Sequence, residues 1–564
     1  MADVAGVDVA GEGDAVLRAV HGVLLPGFTG TRVPAWLEHA ARTGLAGVVL
    51  FAHNTPDLPT TVALTRRLHE LSPDLVVATD EEGGDVSRLE VAEGSSLPGA
   101  AALGVLDDER ATHDVGEALG RLLASAGVDL DLAPVLDVNH PDNPVIGVRA
   151  FGDSPWLVAR HGVALARGLH RGGVAACAKH FPGHGSTTTD SHLTLPVVSD
   201  DLEVLERRDL APFVAALAAD ADGGPGLDAL MTAHVVVEAL GPAPASLEPA
   251  VVALARERGF TGPVVTDALD MRAVSDGADV GEVAVRAVEA GADLLCLGTT
   301  RGRDDEALFR TAVDALVAAV AAGRVTTDRL EASAARTAAL RERVRTRRED
   351  AGVVPGEQAA QRARAALADV GERVAREAVR GSGPAWPPLG DGARPEVVDL
   401  RVRLDHAAGR TALHVQHALT GRWPGTVVHP PLGDDAFAEL LAALEPSGRP
   451  AGDEPVRPLV VVTREPVPGS EERARLTDLR AVRPDLVVVH TGVPTAGRRW
   501  FTTLGGAPPA VVLACGTGRA NARAAVELLA AGWDAHDLDP SASPPAGDDR
   551  GTDQADTTPK GAGR

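Results

Sequence analysis

Residues 179–192 bring together side chains that can transfer protons or bind polar ligands. The segment reads KHFPGHGSTTTDSH and contains three histidines, one aspartate and one of the two lysines of the chain. Asp190 precedes His192 by two residues and could accept a hydrogen bond from its ring. Such a bond fixes the tautomer of an imidazole and leaves the other nitrogen to pass a proton near neutral pH. The pair therefore predicts an enzyme that transfers protons.

The same histidines allow a second interpretation as metal ligands. His180 and His184 have the H-x-x-x-H spacing that places two imidazoles on one side of a helix in zinc sites. Pro182 and Gly183 lie between them and disfavour a helix. With His192 as a third ligand, a metal-dependent hydrolase is an alternative, as is a solvated turn in which the histidines have only a structural role.

A second cluster, residues 266–271, reads TDALDM and follows the apolar run 263–265. If this run is a barrel strand, Asp267 lies at its carboxyl end, where an aspartate can act as a nucleophile or stabilise a charge. Asp270 comes three residues later, where an acidic side chain can stabilise the first turn of a helix. We therefore expect Asp267, rather than Asp270, to take part in the chemistry.

A third cluster, residues 80–88, reads DEEGGDVSR and places carboxylates beside a Gly-Gly turn. Ionised carboxylates only accept hydrogen bonds, so they suit ligands rich in hydroxyl groups, such as sugars. Arg149 could donate hydrogen bonds to such a ligand or lie at the surface. Residues 516–518 read GTG but lack the third glycine and the acidic residue of a phosphate-binding loop, so we interpret them as a turn.

The elements that would position these clusters extend over residues 20–345. Short apolar runs alternate there with segments of helical periodicity, which is the pattern of a parallel sheet covered by helices. This pattern predicts a (β/α)8 barrel, with a doubly wound sheet as the alternative. In a barrel the loops after the strands form one face, so the three clusters would meet there. Eight strand candidates lie at residues 22–26, 46–51, 75–79, 128–133, 174–178, 230–233, 263–266 and 293–297.

The rest of the chain predicts a smaller second domain. Residues 324–380 are rich in Arg, Glu and Ala, which indicates exposed helices leading out of the barrel, and residues 381–384 read as a loop. Further apolar runs predict an α/β sandwich, and they lie at residues 397–402, 426–429, 459–463, 486–489 and 510–513. The predicted domains are the barrel (1–350), a helical linker (351–380), the sandwich (381–540) and a disordered tail (541–564) rich in Pro, Gly and Asp.

Composition and charge narrow the classes of partner and compartment. The chain has 564 residues, and 54 basic against 79 acidic residues give a net charge of −25. This charge repels nucleic-acid phosphates and anionic membrane surfaces, so we expect neither as a partner. No apolar run reaches the roughly 18 residues of a membrane helix, and the first residues lack the pattern of a secretory signal. Together with only three cysteines in apolar runs, this predicts a cytoplasmic enzyme with reduced Cys177, Cys296 and Cys515.

Taken together, the motifs resemble glycoside hydrolase family 3, and in particular its bacterial β-N-acetylglucosaminidase branch. The patterns K-H-F-P-G-H-G and D-S-H of that branch are met by residues 179–185 and 190–192. Three further patterns of the family, D-x-E-G-G-x-V-x-R, G-x-R-x-F-G and T-A-H, are met by residues 80–88, 147–152 and 232–234. Its nucleophile segment, [ST]-D-x-L-x-M, is met by residues 266–271. The resemblance is dense in motifs over residues 20–345 and only architectural beyond residue 375.

The resemblance implies roles for individual residues and no metal or cofactor. Asp267 would be the nucleophile that forms a covalent glycosyl-enzyme, and His192, oriented by Asp190, would be the acid/base. Glu81 and Asp85 stand where the family often has Gln and Arg, which leaves the charge preference of the aglycone side open. The residues expected around the terminal sugar and its N-acetyl group are Asp80, Arg88, Arg149, Lys179, His180, His234 and Met271.

The activity that this resemblance implies is a retaining, exo-acting β-N-acetylglucosaminidase for small carbohydrates such as cell-wall fragments, in peptidoglycan recycling, or chito-oligosaccharides. Aromatic residues make up only 3% of the chain, which favours a small polar pocket over a long cleft with stacking platforms. An imidazole does not repel an anion as a second carboxylate would, so inorganic phosphate could replace water and make the enzyme a β-glycoside phosphorylase. β-Glucosidase activity and a sugar-binding protein without catalysis are further alternatives, and the sequence does not fix the oligomeric state.

Overall fold

The computed structural model describes nine ranges of the chain, and two of the predicted catalytic residues lie outside them. These residues are Asp190 and His192, and the tail predicted for 541–564 also lies outside. The described ranges are residues 9–141, 143, 145–187, 195–221, 226–275, 279–298, 302–401, 413–445 and 456–534.

Strands and helices are numbered in chain order. The strands are β1 (Leu24–Leu25), β2 (Gly47–Leu50), β3 (Val76–Thr79), β4 (Leu130–Asp131), β5 (Ala175–Phe181), β6 (Val197–Val198), β7 (Ala229–Thr232), β8 (Val236–Val237), β9 (Val264–Thr266), β10 (Leu295–Cys296), β11 (Arg380–Ser382), β12 (Glu396–Asp399), β13 (Val427–His429), β14 (Leu459–Thr463), β15 (Val487–His490) and β16 (Ala510–Leu513). The helices are α1 (Val9–His21), α2 (Ala35–Arg42), α3 (Leu58–Leu71), α4 (Ala100–Leu106), α5 (Glu109–Ser125), α6 (Pro155–Gly172), α7 (Leu202–Arg207), α8 (Ala211–Ala221), α9 (Pro249–Glu257), α10 (Arg272–Ser275), α11 (Val280–Glu289), α12 (Asp305–Ala321), α13 (Thr327–Ala351), α14 (Glu357–Ala378), α15 (His414–Arg422), α16 (Asp434–Leu444), α17 (Glu471–Val482), α18 (Pro494–Thr502) and α19 (Arg519–Ala531). Two 3₁₀ helices cover Gly147–Arg149 and Ala245–Leu247.

Each of the eight predicted barrel strands is present at or within a few residues of its expected position. Six of them form one parallel sheet in the order β2-β3-β4-β5-β7-β9, while β10 pairs in parallel with β1. Main-chain hydrogen bonds from Asp293 to Val264 (2.8 Å) and from Val49 to Pro26 (3.1 Å) connect this pair to β9 and β2. The strands therefore close into the predicted (β/α)8 barrel, with their carboxyl ends on one face.

Helix α13 closes the opposite face of the barrel, which corrects the prediction of an exposed helix. Its Leu340 and Val344 belong to the same buried cluster as the inward-facing strand residues Leu130, Cys177 and Met231. The helix is mostly polar, but its arginines bind the buried Asp129, Asp228 and Asp293 at or just before the starts of three strands. The composition of this segment alone indicates a solvated helix. The prediction was wrong because the aspartates that bind its arginines lie far away in the sequence.

Helix α14 is also not exposed as predicted, because it packs on both domains. Ala360, Leu367 and Val374 belong to the main core of the barrel, whereas the adjacent Ala375 belongs to a core of the second domain. The close approach of α14 to the barrel requires Gly371, at which a Cβ atom would lie 1.9 Å from the carbonyl oxygen of Ser96. The segment predicted as a linker is therefore a shared structural element.

The second domain is an α/β sandwich, as predicted. Its six strands follow the order β11-β16-β15-β14-β12-β13, and all of them pair in parallel except β11. Alternate strand residues, such as Val460 and Val461, belong to two separate buried clusters, one on each face of the sheet. Among the described residues, no helix combines the length and the apolar character that a membrane span requires.

The edge strand β11 was expected to be a loop. Gly381 pairs with Val512 of β16, and a Cβ atom at Gly381 would lie 2.1 Å from the ring of Trp533. Glycine is therefore needed for close packing at this position, not for a turn. Residues 515–518 form bends before α19, in agreement with the predicted turn.

Candidate functional site

The three motif clusters converge on the carboxyl-terminal face of the barrel. Asp80 directly follows β3, Lys179 and His180 lie near the end of β5, and Asp267 directly follows β9. All these strands run in parallel, so their ends open onto the same face. The short apolar strands thus present polar side chains from distant parts of the chain to one opening.

Lys179 is the centre of a buried charge network. Its Nζ lies 2.7 Å from Oδ1 of Asp80 and 2.6 Å from Oε1 of Glu82. Arg149 donates two further hydrogen bonds to Glu82, from Nε at 2.9 Å and from a terminal nitrogen at 2.7 Å. A terminal nitrogen of Arg88 lies 3.6 Å from Oδ2 of Asp80. Four of the predicted sugar-binding residues are therefore brought together, with Glu82 as the bridge.

Mutual attraction within this network keeps its groups charged. Burial would raise the pKa of Asp80, but Lys179 and Arg88 outweigh it and hold that pKa below its usual value. Burial would likewise raise the pKa of Glu82, yet Arg149 and Lys179 hold it far below the ordinary range. Burial disfavours the charged form of Lys179, but the two carboxylates raise its pKa. The side chain of Asp80 remains 18% exposed and is the acidic member of the network most open to a ligand.

Glu81 and Asp85, the two departures from the family pattern, have structural partners. One oxygen of Glu81 accepts hydrogen bonds from the main-chain N–H groups of Arg88 and Leu89, both at 2.8 Å. Asp85 accepts hydrogen bonds from Arg464 at 2.5 Å and from the main chain of Thr517 at 2.6 Å. Asp85 therefore joins the loop after β3 to the second domain, and neither residue adds exposed charge to the opening.

His180 is oriented by Asp137, a residue that the sequence analysis did not single out. Nδ1 of His180 lies 2.7 Å from Oδ2 of Asp137, and the main-chain N–H of His184 donates to Oδ1 at 2.7 Å. A carboxylate at Nδ1 places the proton there and leaves Nε2 as the acceptor of the neutral ring. Burial lowers the pKa of His184 to about 4, and the negative charges of Asp137 and Asp267 act in the opposite direction.

Asp267 is held by the main chain at the end of β9. Its N–H donates to the carbonyl oxygen of Thr232 in β7 at 3.1 Å, and its Oδ1 accepts a hydrogen bond from Ala268 N–H at 2.7 Å. Asp270 is 8% exposed and lies against Gly298, where a Cβ atom would be 1.8 Å from Oδ1 of Asp270. Asp270 lies just before α10, which agrees with its interpretation as an acidic residue at the start of a helix.

His234 has contacts that favour a positioning role. It is fully buried, with Nδ1 2.7 Å from Oγ of Ser246 and Nε2 2.9 Å from the carbonyl oxygen of Ala268. It therefore fixes the main chain next to Asp267, and its contact with a sugar stays a prediction. Met271 is half-buried in the following turn, where its N–H donates to Ala268 at 3.0 Å.

The metal hypothesis has no complete ligand set in the part of the chain that the structure describes. There, no group of three or more His, Cys, Asp or Glu side chains is arranged to hold an ion. The rings of His180 and His184 are 5.9 Å apart, and Nδ1 of His184 lies 2.9 Å from Oγ1 of Thr187. His192, the third ligand of that hypothesis, lies outside the described residues.

The sequence analysis did not single out two residues of the site, Glu82 of the Lys179 network and Asp137 beside His180, although both had a signal in the sequence. Glu82 lies within the motif that contains Asp80 but was not given a role. Asp137 follows the predicted strand 128–133 by four residues. The rule that barrel chemistry lies just after the strands would have marked Asp137 as a candidate.

Comparisons with known proteins agree with the geometry. A model of the glycosyl hydrolase family 3 N-terminal domain matches residues 31–340. Beta-hexosaminidase A of Pseudoalteromonas piscicida is 33% identical over 337 residues, which make up 55% of this chain and 55% of that protein. This chain thus matches little more than half of that relative. A beta-hexosaminidase of Xylella fastidiosa (strain 9a5c) is 39% identical over 287 residues, which make up 48% of this chain and 82% of that protein.

Solved structures extend the similarity to both domains. A glycoside hydrolase family 3 beta-N-acetylglucosaminidase from Paenibacillus sp. str. FPU-7 superposes with a TM-score of 0.74 at 29% identity. The match covers 91% of this chain and 96% of that one. LpqI of M. tuberculosis superposes with a TM-score of 0.51 at 30% identity, over 58% of this chain and 93% of its own.

Proposed function

Because the chain belongs to glycosyl hydrolase family 3, we propose that it is a retaining, exo-acting β-N-acetylglucosaminidase. The observation that carries this proposal is that Asp267 and the Lys179 network lie at the same end of the barrel. The names of the relatives, beta-hexosaminidase and beta-N-acetylglucosaminidase, support the same activity. Short chito-oligosaccharides or cell-wall fragments are the proposed substrates, and a cytoplasmic role in peptidoglycan recycling is part of the proposal.

The Lys179 network would bind the terminal sugar. Asp80 keeps an exposed edge, so it can accept hydrogen bonds from neighbouring sugar hydroxyls, while Lys179 and Arg149 supply N–H donors. The ion pairs fix these side chains before the sugar arrives, which reduces the conformational entropy lost on binding. Such fixed polar groups discriminate well between sugars, because a missing hydroxyl leaves a buried partner unpaired.

Asp267 would form the covalent intermediate. Its carboxylate oxygen attacks C1 of the sugar while the bond from C1 to the leaving oxygen breaks, and His192 gives its proton to that oxygen. In the second step His192 takes a proton from water, the water oxygen bonds to C1, and Asp267 leaves. Two displacements at C1 restore the starting configuration, so the first free product is the β-anomer.

The test of the proposal uses the full chain and p-nitrophenyl β-N-acetylglucosaminide. Asp267→Ala and His192→Ala should each lower kcat by on the order of 10³-fold or more. Azide should partly restore the activity of the Asp267→Ala variant, because it can attack C1 in place of the lost carboxylate. This single displacement inverts the configuration at C1 and gives an α-glycosyl azide. Wild-type activity in either variant would remove that residue from the mechanism, and a wild-type first product with the α-configuration would exclude retention.

Phosphorolysis is a second candidate, favoured by the histidine that takes the place of a second carboxylate. An imidazole does not repel an incoming phosphate dianion as a carboxylate would. With phosphate as acceptor, its oxygen bonds to C1, Asp267 leaves, and the product is a sugar 1-phosphate. Product analysis at rising phosphate distinguishes the two activities, since free sugar alone at high phosphate would reject phosphorolysis. The same assay with the corresponding glucoside tests β-glucosidase activity.

A further inference from the structure

A cavity of about 670 Å³ lies between the barrel and the second domain. Its barrel side is formed by Gly147, Phe151 and neighbours in the loop before α6, and its other side by residues at the start of α18 and by Trp533. Of the predicted sugar-binding and catalytic residues, none of those that the structure describes lines it. Its size falls within the range of about 300–1,000 Å³ that is usual for small-molecule pockets, which often lie at domain interfaces.

The lining carries positive charge that the described residues leave unpaired. Arg380 and Arg498 are exposed residues that line the cavity, and neither forms an ion pair or a side-chain hydrogen bond within the described ranges. Asp153 is the acidic residue among the described residues of the lining, where the two arginines outnumber it.

Two helices also begin at this cavity without a side-chain cap. Residues before or within the first turn of α6 and α18, such as Asp153 and Thr495, are in the lining. The residues that precede these helices, Ser154 and Val493, make no capping hydrogen bond. The positive ends of the helix dipoles therefore add to the charge of the arginines.

The remaining lining suits a molecule with an apolar body. Phe151, Leu157 and Val493 provide apolar surface. Trp533 and Asn139 also line the cavity, and the buried Nε1 of Trp533 and Oδ1 of Asn139 have no hydrogen-bond partner in the described part of the chain. Buried polar atoms are rarely left unpaired, so these two side chains have hydrogen-bonding capacity that no described protein group uses.

We propose that this interdomain cavity is a binding site for a small organic anion, with a carboxylate or phosphate between Arg380 and Arg498 and an apolar ring against Phe151 and Trp533. The inference goes beyond the glycosidase proposal and does not depend on which sugar the barrel takes. An occupant would touch Gly147, the first residue of the 3₁₀ helix that carries Arg149. The site is thus connected by one turn of chain to the Lys179 network.

Calorimetric titration of the full chain with phenyl phosphate, phenylacetate, phenol and inorganic phosphate tests this proposal. At low salt we expect phenyl phosphate or phenylacetate to bind one equivalent per chain, and to bind more tightly than both phenol and inorganic phosphate. Whichever of the two aromatic anions binds more tightly shows whether the site prefers a phosphate or a carboxylate group. Failure of both to bind, or binding no tighter than that of phenol, would overturn the proposal.

Variants locate the bound probe. Arg380→Gln and Arg498→Gln should each weaken binding about tenfold or more, because each removes a charge-assisted hydrogen bond. Arg499→Gln is the matched control, since Arg499 is a neighbour on α18 that does not line the cavity. Thr495→Trp keeps the arginines and narrows the cavity at an exposed position, so it should also weaken binding. Unchanged binding in the folded double arginine variant would place the probe elsewhere and overturn the proposal.

Discussion

At the amino-terminal end of the barrel, each of three buried aspartates binds two arginines of α13 and one basic side chain of another helix, whereas at the carboxyl-terminal end Asp80 and Glu82 share one lysine. The aspartates of the first group directly precede a strand or lie two residues before it, and their side chains are at most 2% exposed. The pairs with α13 are Asp129 with Arg341 and Arg348, Asp228 with Arg343 and Arg347, and Asp293 with Arg329 and Arg336.

The two ends also differ in access to solvent. Asp228 accepts hydrogen bonds from the main chain of Ala176 and from Arg343 and Arg347, which leaves no open side. Asp80 binds Lys179 but keeps an exposed edge on the open face. The same kind of ion pair therefore fixes the strands where helices enclose the aspartates, and leaves one edge open to the proposed sugar where Lys179 of β5 binds Asp80.

The largest expected effect is that of Lys179→Ala, which breaks the network at the open end. Two buried carboxylates lose their shared cation, so we expect the free energy of unfolding to fall by about 3–5 kcal/mol. We also expect kcat/KM to fall by at least about 10²-fold, because a fixed donor to the sugar is lost. Urea unfolding and the chromogenic assay measure the two effects. Lys560→Ala, at the other lysine of the chain, is the control, and wild-type kcat/KM in Lys179→Ala would exclude a role in binding.

Asp228→Ala tests the closed end and should separate stability from catalysis. His170, Arg343 and Arg347 lose their buried partner, so we expect a loss of unfolding free energy of up to about 3–5 kcal/mol with kcat of the folded enzyme unchanged. His170 and Arg347 outweigh burial and hold the pKa of Asp228 below its usual 3.8. Its contribution is therefore present above about pH 4 and lost in more acidic solution.

A matched control for this variant is Asp314→Ala, at an exposed position on α12. This variant also removes an aspartate carboxylate, but no buried cation loses its partner. The free energy of unfolding should therefore stay unchanged. A loss of kcat in folded Asp228→Ala would show that the two ends are coupled and would contradict the separation proposed here.

Glu81→Gln sharpens the comparison, because Glu81 is a buried carboxyl at the open end that has no ion pair within the described residues. Burial is the largest influence and raises the pKa of Glu81 from 4.5 to about 7. A raised acid pKa means that its stabilising contribution is complete below about pH 4.5 and lost as the pH rises through 7. We expect Glu81→Gln to gain up to about 3 kcal/mol relative to wild type between pH 5 and pH 8. Urea unfolding at both pH values measures this gain, and an identical pH dependence in the two proteins would contradict it.

The smallest expected effect is that of Asp85→Asn, which weakens the contact between the second domain and the loop after β3. Glu82 lies three residues earlier in that loop, so a looser loop should raise KM about three- to tenfold with kcat little changed. Steady-state kinetics measure both constants. Glu527→Gln removes a more exposed ion pair between α19 and Arg376 of α14 and should leave both constants unchanged. An unchanged KM in Asp85→Asn would show that the second domain does not position this network.

The sequence predicts the barrel well because its signals are local. Each strand is a short apolar run, and Asp80, Lys179 and Asp267 follow from the rule that chemistry lies at strand ends. The partners of these residues are not local, since Glu82 meets Arg149 only in the folded barrel and Arg464 reaches Asp85 from the second domain. The same reason explains the errors for α13 and β11. Their polar or glycine-rich sequences indicate solvent or a turn, and only long-range contacts with aspartates and β16 make them structural.

Helix α14 has a consequence for any attempt to isolate the catalytic half. Val374 and Ala375 are consecutive residues that fill different hydrophobic cores. A polypeptide that ends at residue 350 would lack Leu367 and Val374. It would therefore expose the apolar side of α5 to solvent, and we expect it to aggregate. Heating the intact protein should accordingly give one calorimetric transition for both halves, and shortened versions should keep the chain to at least residue 378 with its second-domain face made polar.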